Sequence, residues 1–140
     1  VADILYDTQR NSMWGNSAVS FADLDTDIIK ALLRDEGTTA VSAAHTNLSQ
    51  ISTAGVGTDQ TITSPTIGVV AVGVFDHAIV TWTALSGASV ESLDYYKSSG
   101  VATTSPLVCN IDSATGLPLT PNTGDVTFDP AAGGLLILGA

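Results

Sequence analysis

Phe21-Ala-Asp-Leu-Asp-Thr-Asp-Ile-Ile-Lys-Ala-Leu-Leu-Arg34 sets an acidic turn, Asp25-Thr26-Asp27, between two short apolar runs. Asp tolerates turn backbone angles, so the segment reads as a strand at about 19–24 turning back into another at 27–33. The same grammar runs on. Short stretches rich in Val, Ile and Thr, punctuated by Gly, Pro, Asn and Asp, predict strands near 61–67, 69–75, 78–84, 90–97, 106–112, 124–128 and 134–138. A long loop at 35–60 holds a short helix around His45–Gln50, and Asp76-His77 is the expected turn between 69–75 and 78–84. Val80 and Trp82 alternate with Ile79, Thr81 and Thr83, which assigns Val80 and Trp82 to the core. Strands at this spacing with little helix predict an all-β fold: an antiparallel β-sandwich or a jelly-roll-like barrel. Residues 1–18 are expected as an irregular N-terminal arm, one helical turn or an extended piece, ahead of a single β domain at 19–140.

A chain of 140 residues can bury an adequate core without staples. Hydrophobic residues make up 44%, aromatics 6% and charged residues only 13%, the last well below the roughly 25% of an ordinary soluble domain. Ser, Thr, Gly and Asn must therefore cover much of the surface, which suits extended structure and contact with other protein. Four basic residues against fourteen acidic ones give a net charge of −10. Nucleic acid is bound by neutralising phosphates with Lys and Arg, so no nucleic-acid partner is expected, nor an anionic membrane. The N-terminal residues lack a basic n-region and a long apolar stretch. The apolar runs 67–75 and 135–138 fall far short of the ~20 residues that cross a bilayer. A soluble protein is expected.

Cys109 is alone, so no intrachain disulfide and no Cys-based metal site forms, and its alternating apolar context marks a buried structural thiol. Asp23, Asp25 and Asp27 imitate the opening of a calcium loop. The sixth and twelfth positions that such a loop needs as Gly and carboxylate are Ile28 and Arg34, so the motif fails and a solvated turn is the default. His77 beside Asp76 has the residue types of a general base oriented by a carboxylate. No Gly-x-Ser-x-Gly elbow, His-Glu-x-x-His helix or phosphate-cradling glycine loop accompanies it. An Asp-His pair in a turn is ordinary turn chemistry, and no catalytic, metal or cofactor residues are assigned. Tyr95 and Tyr96 point to opposite faces of a strand, one into the core and one outward. The outward ring is either an interface contact, where Tyr is enriched, or an aromatic covered by its own loop.

Asp23–Leu33, His45–Ile51, Ala78–Leu85 and Gly124–Leu135 occur in this order. The ordered set resembles small structural proteins of tailed bacteriophages, and the likeness covers roughly residues 20–138. Asp129-Pro-Ala-Ala before the closing strand, and a middle rich in Ala and Gly, depart from that pattern. The resemblance implies a non-enzymatic virion component, a capsid decoration (cement) protein on the exterior of the head, present in the host cytoplasm during assembly. It implies the major capsid protein and further copies of the chain as partners, the latter as a homotrimer, with no cofactor. Tyr6, Trp14, Phe21 and Tyr96 are the expected interface residues, and the acidic turn from Asp23 to Asp27 the outward feature. The alternative is a tail or tail-tip component binding a host receptor or glycan.

Overall fold

Six consecutive residues, Ile-Lys-Ala-Leu-Leu-Arg at 29–34, are apolar on both sides of an extended chain but for Lys30 and Arg34. Only a strand covered on both faces suits such a run. The computed structural model, which describes residues 3–13, 22–68, 74–130 and 136–137, builds its largest sheet around it. In chain order the elements are β1 (Ile4–Leu5), α1 (Asp7–Met13), β2 (Ile29–Arg34), β3 (Gln60–Thr61), β4 (Thr66–Ile67) and β5 (Val74–Asp76). Then come β6 (Val80–Trp82), β7 (Ser92–Lys97), β8 (Leu107–Ile111), β9 (Val126–Phe128) and β10 (Leu136–Ile137). Single turns of 3-10 helix occupy Leu48–Gln50, Ser52–Ala54 and Ala102–Thr104.

All pairing between these strands is antiparallel, in a five-stranded sheet ordered β1-β8-β7-β2-β3, a three-stranded sheet β10-β5-β4 and a pair β6-β9. The expected all-β class is therefore present. In the large sheet Ile29 pairs with Lys97, and the register runs without a break to Arg34 opposite Ser92. Ile29, Ala31 and Leu33 of β2 and Leu93 and Tyr95 of β7 point into the main core with Trp82, Leu85, Cys109 and Ile111. Leu32 and Tyr96 point the other way, onto Tyr6, Ile51 and Leu107. Tyr95 pairs with Cys109 but Tyr96 with Leu107, so Val108 is the extra residue of a β-bulge. The bulge keeps Leu107 on the Tyr96 side and Cys109 on the Tyr95 side, and both faces stay apolar. Burying Leu32 fully contributes about 1.5–3 kcal/mol.

Several expectations change. The acidic segment is a turn, closed by Asp27 N–H donating to Asp23 O at 2.9 Å, but Ala22–Leu24 are not a strand. No hairpin forms there because both edges of β2 are taken, by β7 and β3. Residues 19–21 of the expected first strand lie outside the described residues. The run at 61–67 splits into β3 and β4 at Ser64, whose φ of 51° lies in the left-handed region, followed by Pro65. β5 and β6 belong to different sheets, so Asp76-His77 is a crossover and not a hairpin turn. The loop at 35–60 contains two 3-10 turns in place of one helix. The N-terminal segment is ordered into β1 and α1 as far as it is described, docked by Tyr6 N–H to Val108 O at 3.1 Å and Asp7 N–H to Ala43 O at 3.0 Å. Val80 and Trp82 are buried and Thr81 exposed, as the alternation requires. Among the described residues no helix is long and apolar enough to cross a membrane.

Candidate functional site

The second face of the large sheet carries its charge chemistry. Alternation along β7 turns Ser92, Asp94 and Tyr96 to that face, and along β2 it turns Arg34 there. Register then brings them together. Asp94 lies opposite Leu32 on one side and Asn110 on the other, one step diagonally from Arg34. Tyr6, immediately after β1, drops its ring into the same place.

The Asp94 carboxylate accepts from Tyr6 O–H at 2.5 Å, Asn110 Nδ2 at 3.1 Å and Arg34 Nη1 at 3.2 Å. Arg34 Nε and Nη2 donate to the carbonyls of Thr39 and Ala40 at 3.0 and 2.7 Å, and Asn110 Nδ2 also reaches Ser92 Oγ at 3.0 Å. The Arg34 and Asp94 side chains are both 0% exposed. Burial pushes the Asp94 carboxyl above its ordinary value, against the pull of the Arg34 charge and the three donors. Burial, reinforced by the Asp94 charge, pushes the Tyr6 phenol far up, so it stays a donor. A carboxylate so saturated and closed to solvent holds β1, β2, β7 and β8 in one arrangement.

His77 forms the second cluster, 6% exposed, beneath the rings of Phe75, Tyr95 and Phe128. Its Nδ1 lies 2.7 Å from Ala78 O and its Nε2 2.8 Å from Tyr95 Oη. A carbonyl can only accept, so Nδ1 carries the proton and Nε2 accepts from the tyrosine. Burial holds this imidazole below its usual pKa, which keeps it neutral. Asp76 accepts from the His77 backbone N–H at 2.8 Å, a local turn contact. The nitrogen that a general base would use is thus already occupied by Tyr95.

The expected interface residues divide. Tyr6 and Tyr96 are 0% and 3% exposed, so neither presents a ring on the surface of the chain. Tyr96 is the correction to the one-in, one-out reading of the tyrosine pair. The sheet is covered on both faces, so both rings are buried, and Tyr96 O–H donates to Asp59 at 2.6 Å. Burial raises the Asp59 carboxyl, with the Tyr96 bond and Lys30 pulling it back. Trp14 and Phe21 lie outside the described residues. Exposed apolar side chains occur instead at Ile28, Ile67, Ile79 and Val101. The Ile79 position was legible from its alternation with Val80.

Asp23 and Asp25 are exposed in the acidic turn, and Asp27 pairs with Lys97 at 2.8 Å. Among the described residues no three His, Cys, Asp or Glu side chains gather as a metal site. Cys109 is buried, and burial raises its thiol far above the ordinary value, as expected of a structural cysteine. No protein-family model matches the chain, and a search of curated proteins finds no match to it.

Proposed function

We propose that this chain is a structural virion protein of a tailed bacteriophage, decorating and stabilising the capsid shell through protein–protein contacts. One observation carries the reading: the ordered segments 23–33, 45–51, 78–85 and 124–135, whose order resembles such proteins. The fold is in keeping with it. Three of those segments overlap strands, β2, β6 and β9, and the fourth, 45–51, holds the 3-10 turn Leu48–Gln50. The polar groups that catalysis would draw on, at Asp94, Arg34 and His77, are engaged in bonds within the chain.

A decoration protein acts by mass action. It binds the assembled shell and not free subunits, so each bound copy stabilises the shell by an amount set by its concentration relative to Kd. A contact of ordinary size, about 1,600 Å2 in total, suffices for specific attachment. In this reading the exposed acidic turn at Asp23–Asp27 is the outward feature. Closed cyclic symmetry, with three copies around an axis, pairs or covers sheet edges that would otherwise aggregate.

The test is addition of the purified chain to phage heads stripped of it, followed by sedimentation and heating. Binding to heads, with rupture displaced to higher temperature, is expected. Heads that bind none of it reject the proposal, and label found only on tails transfers the chain to the tail-component alternative.

A further inference from the structure

The outer edge of β8, away from β7, is covered by two pieces of chain laid end to end. Ile4 and Leu5 pair with Asn110 and Cys109, and Tyr6 N–H reaches Val108 O at 3.1 Å. From there Thr46 takes over, its carbonyl accepting from Leu107 N–H at 3.0 Å, and Asn47 bridges to Pro106. His45 therefore stands at the junction, one residue before Thr46 and close to where the chain leaves Tyr6 for α1. The loop that delivers it also holds the junction together. Its carbonyls at Thr39 and Ala40 take the Arg34 guanidinium, and its carbonyl at Ala43 takes Asp7 N–H.

His45 is half-buried, and its Nδ1 is enclosed with no hydrogen-bond partner among the described residues. A neutral imidazole can carry its proton on Nε2 and leave Nδ1 bare, whereas the imidazolium carries N–H on both. Protonation here creates an enclosed donor without an acceptor, which is costly. Among the charged groups of the packed elements, Arg34 of β2 opposes the proton and Asp94 of β7 favours it, while Asp7 and Arg10 of α1 pair with each other at the surface. Burial first and the Arg34 charge second hold the imidazole below its ordinary value of 6.5. Any shift of the loop that relieves the charged ring works directly on the Thr39, Ala40 and Ala43 carbonyls.

We propose that His45 makes the N-terminal segment an acid-loosened clasp: its protonation favours an open form in which β1 and α1 leave β8 while β3, β2, β7 and β8 stay paired. The open form takes the proton at the ordinary value and the closed form resists it. Closure is therefore unaffected above pH 6.5 and weakens as pH falls below it. Asp94, held above its ordinary value, binds a proton more tightly closed than open and works in the opposite sense. Opening frees the backbone of Val108 and Asn110 to pair with another strand. The clasp requires nothing of the function proposed above.

The experiment is amide hydrogen exchange on the full chain at pH 7.5 and 5.5, read as protection relative to the unfolded rate at each pH. The Tyr6 and Asp7 amides, which donate to Val108 and Ala43, report the clasp; the Lys97 amide, which donates to Pro106 across β7 and β8, reports the sheet. Tyr6 and Asp7 should be less protected than Lys97 and insensitive to low urea, the mark of local opening. Between the two pH values their protection should fall about three- to tenfold, tenfold being the limit for one group of ordinary value 6.5 that only the open form protonates. His45→Gln and His45→Asn, two variants in case one misfolds, should abolish the fall, and His77→Phe should leave it in place. A fall that survives both His45 variants, or that disappears with His77→Phe, overturns the proposal. So does exchange of Tyr6 and Asp7 with the protection and urea dependence of Lys97, since the segment would then open only with the whole molecule.

Discussion

Asp94→Asn changes almost no volume and removes one charge from a fully buried place in the molecule. Arg34 would keep its bonds to the Thr39 and Ala40 carbonyls and to Tyr6 Oη at 3.1 Å, but lose the carboxylate that pairs with its guanidinium. With both side chains at 0% exposure, no solvent screens the stranded cation. Breaking one partner of a buried pair costs about 3–5 kcal/mol, against a total stability of about 5–15 kcal/mol for a domain. With a urea slope of about 2 kcal/mol per M, the unfolding midpoint should fall by about 1.5–2.5 M. Adding Arg34→Met removes the cation and should return part of the loss, with the Thr39 and Ala40 carbonyls left short of their donors. The double-mutant cycle would then show strong coupling between the two positions. Urea unfolding followed by tryptophan fluorescence reads all three proteins. A loss under 1 kcal/mol for Asp94→Asn, or additive effects in the double mutant, would refute the idea of a dry ion pair.

Gly57→Ala should cost about 1–3 kcal/mol in thermal unfolding, because φ there is 78° and the new Cβ would lie 2.6 Å from Leu85 Cδ1. His77 is held below its ordinary value of 6.5, so above pH 6.5 it contributes no pH dependence. As pH falls below 6.5 the unfolded chain takes a proton that the folded one refuses, and stability drops until the folded pKa is passed. His45 is shifted the same way by its burial and by Arg34, and adds to the slope. Chemical denaturation between pH 5 and 8 measures it, and His77→Phe should flatten the curve. Cys109 should resist a thiol-specific reagent in the native protein and react within the dead time once unfolded, since it is 1% exposed.

The strand content was readable because most segments keep a clear period of two: Val80 and Trp82 inward with Thr81 outward is one case, and Tyr95 against Tyr96 another. What the pattern does not encode is which strands pair. The turn at Asp25-Thr26-Asp27 looks the same whether or not a strand precedes it, and β2 turned out to be filled on both edges by distant partners. The fate of Tyr96 was hidden for a related reason. A polar-looking second face of Ser92, Asp94 and Tyr96 reads as solvent-facing, and only the arrival of Tyr6, Arg34 and Asn110 makes it an interior. A lone Asp between Leu93 and the tyrosine pair was the available signal, since a carboxylate in the middle of an apolar strand must find a cation.

Tyr6 and Asp94 are separated by 88 residues in the chain yet share one proton bridge. During synthesis the tyrosine is made before β7 and must wait until that strand has followed it before its resting place exists. Docking of β1 therefore belongs to a late stage of folding, after β7 has met β2 and β8, as contacts of long sequence separation generally form slowly. In the interval β8 has an open edge, and the nascent molecule is most exposed to unintended pairing with its neighbours.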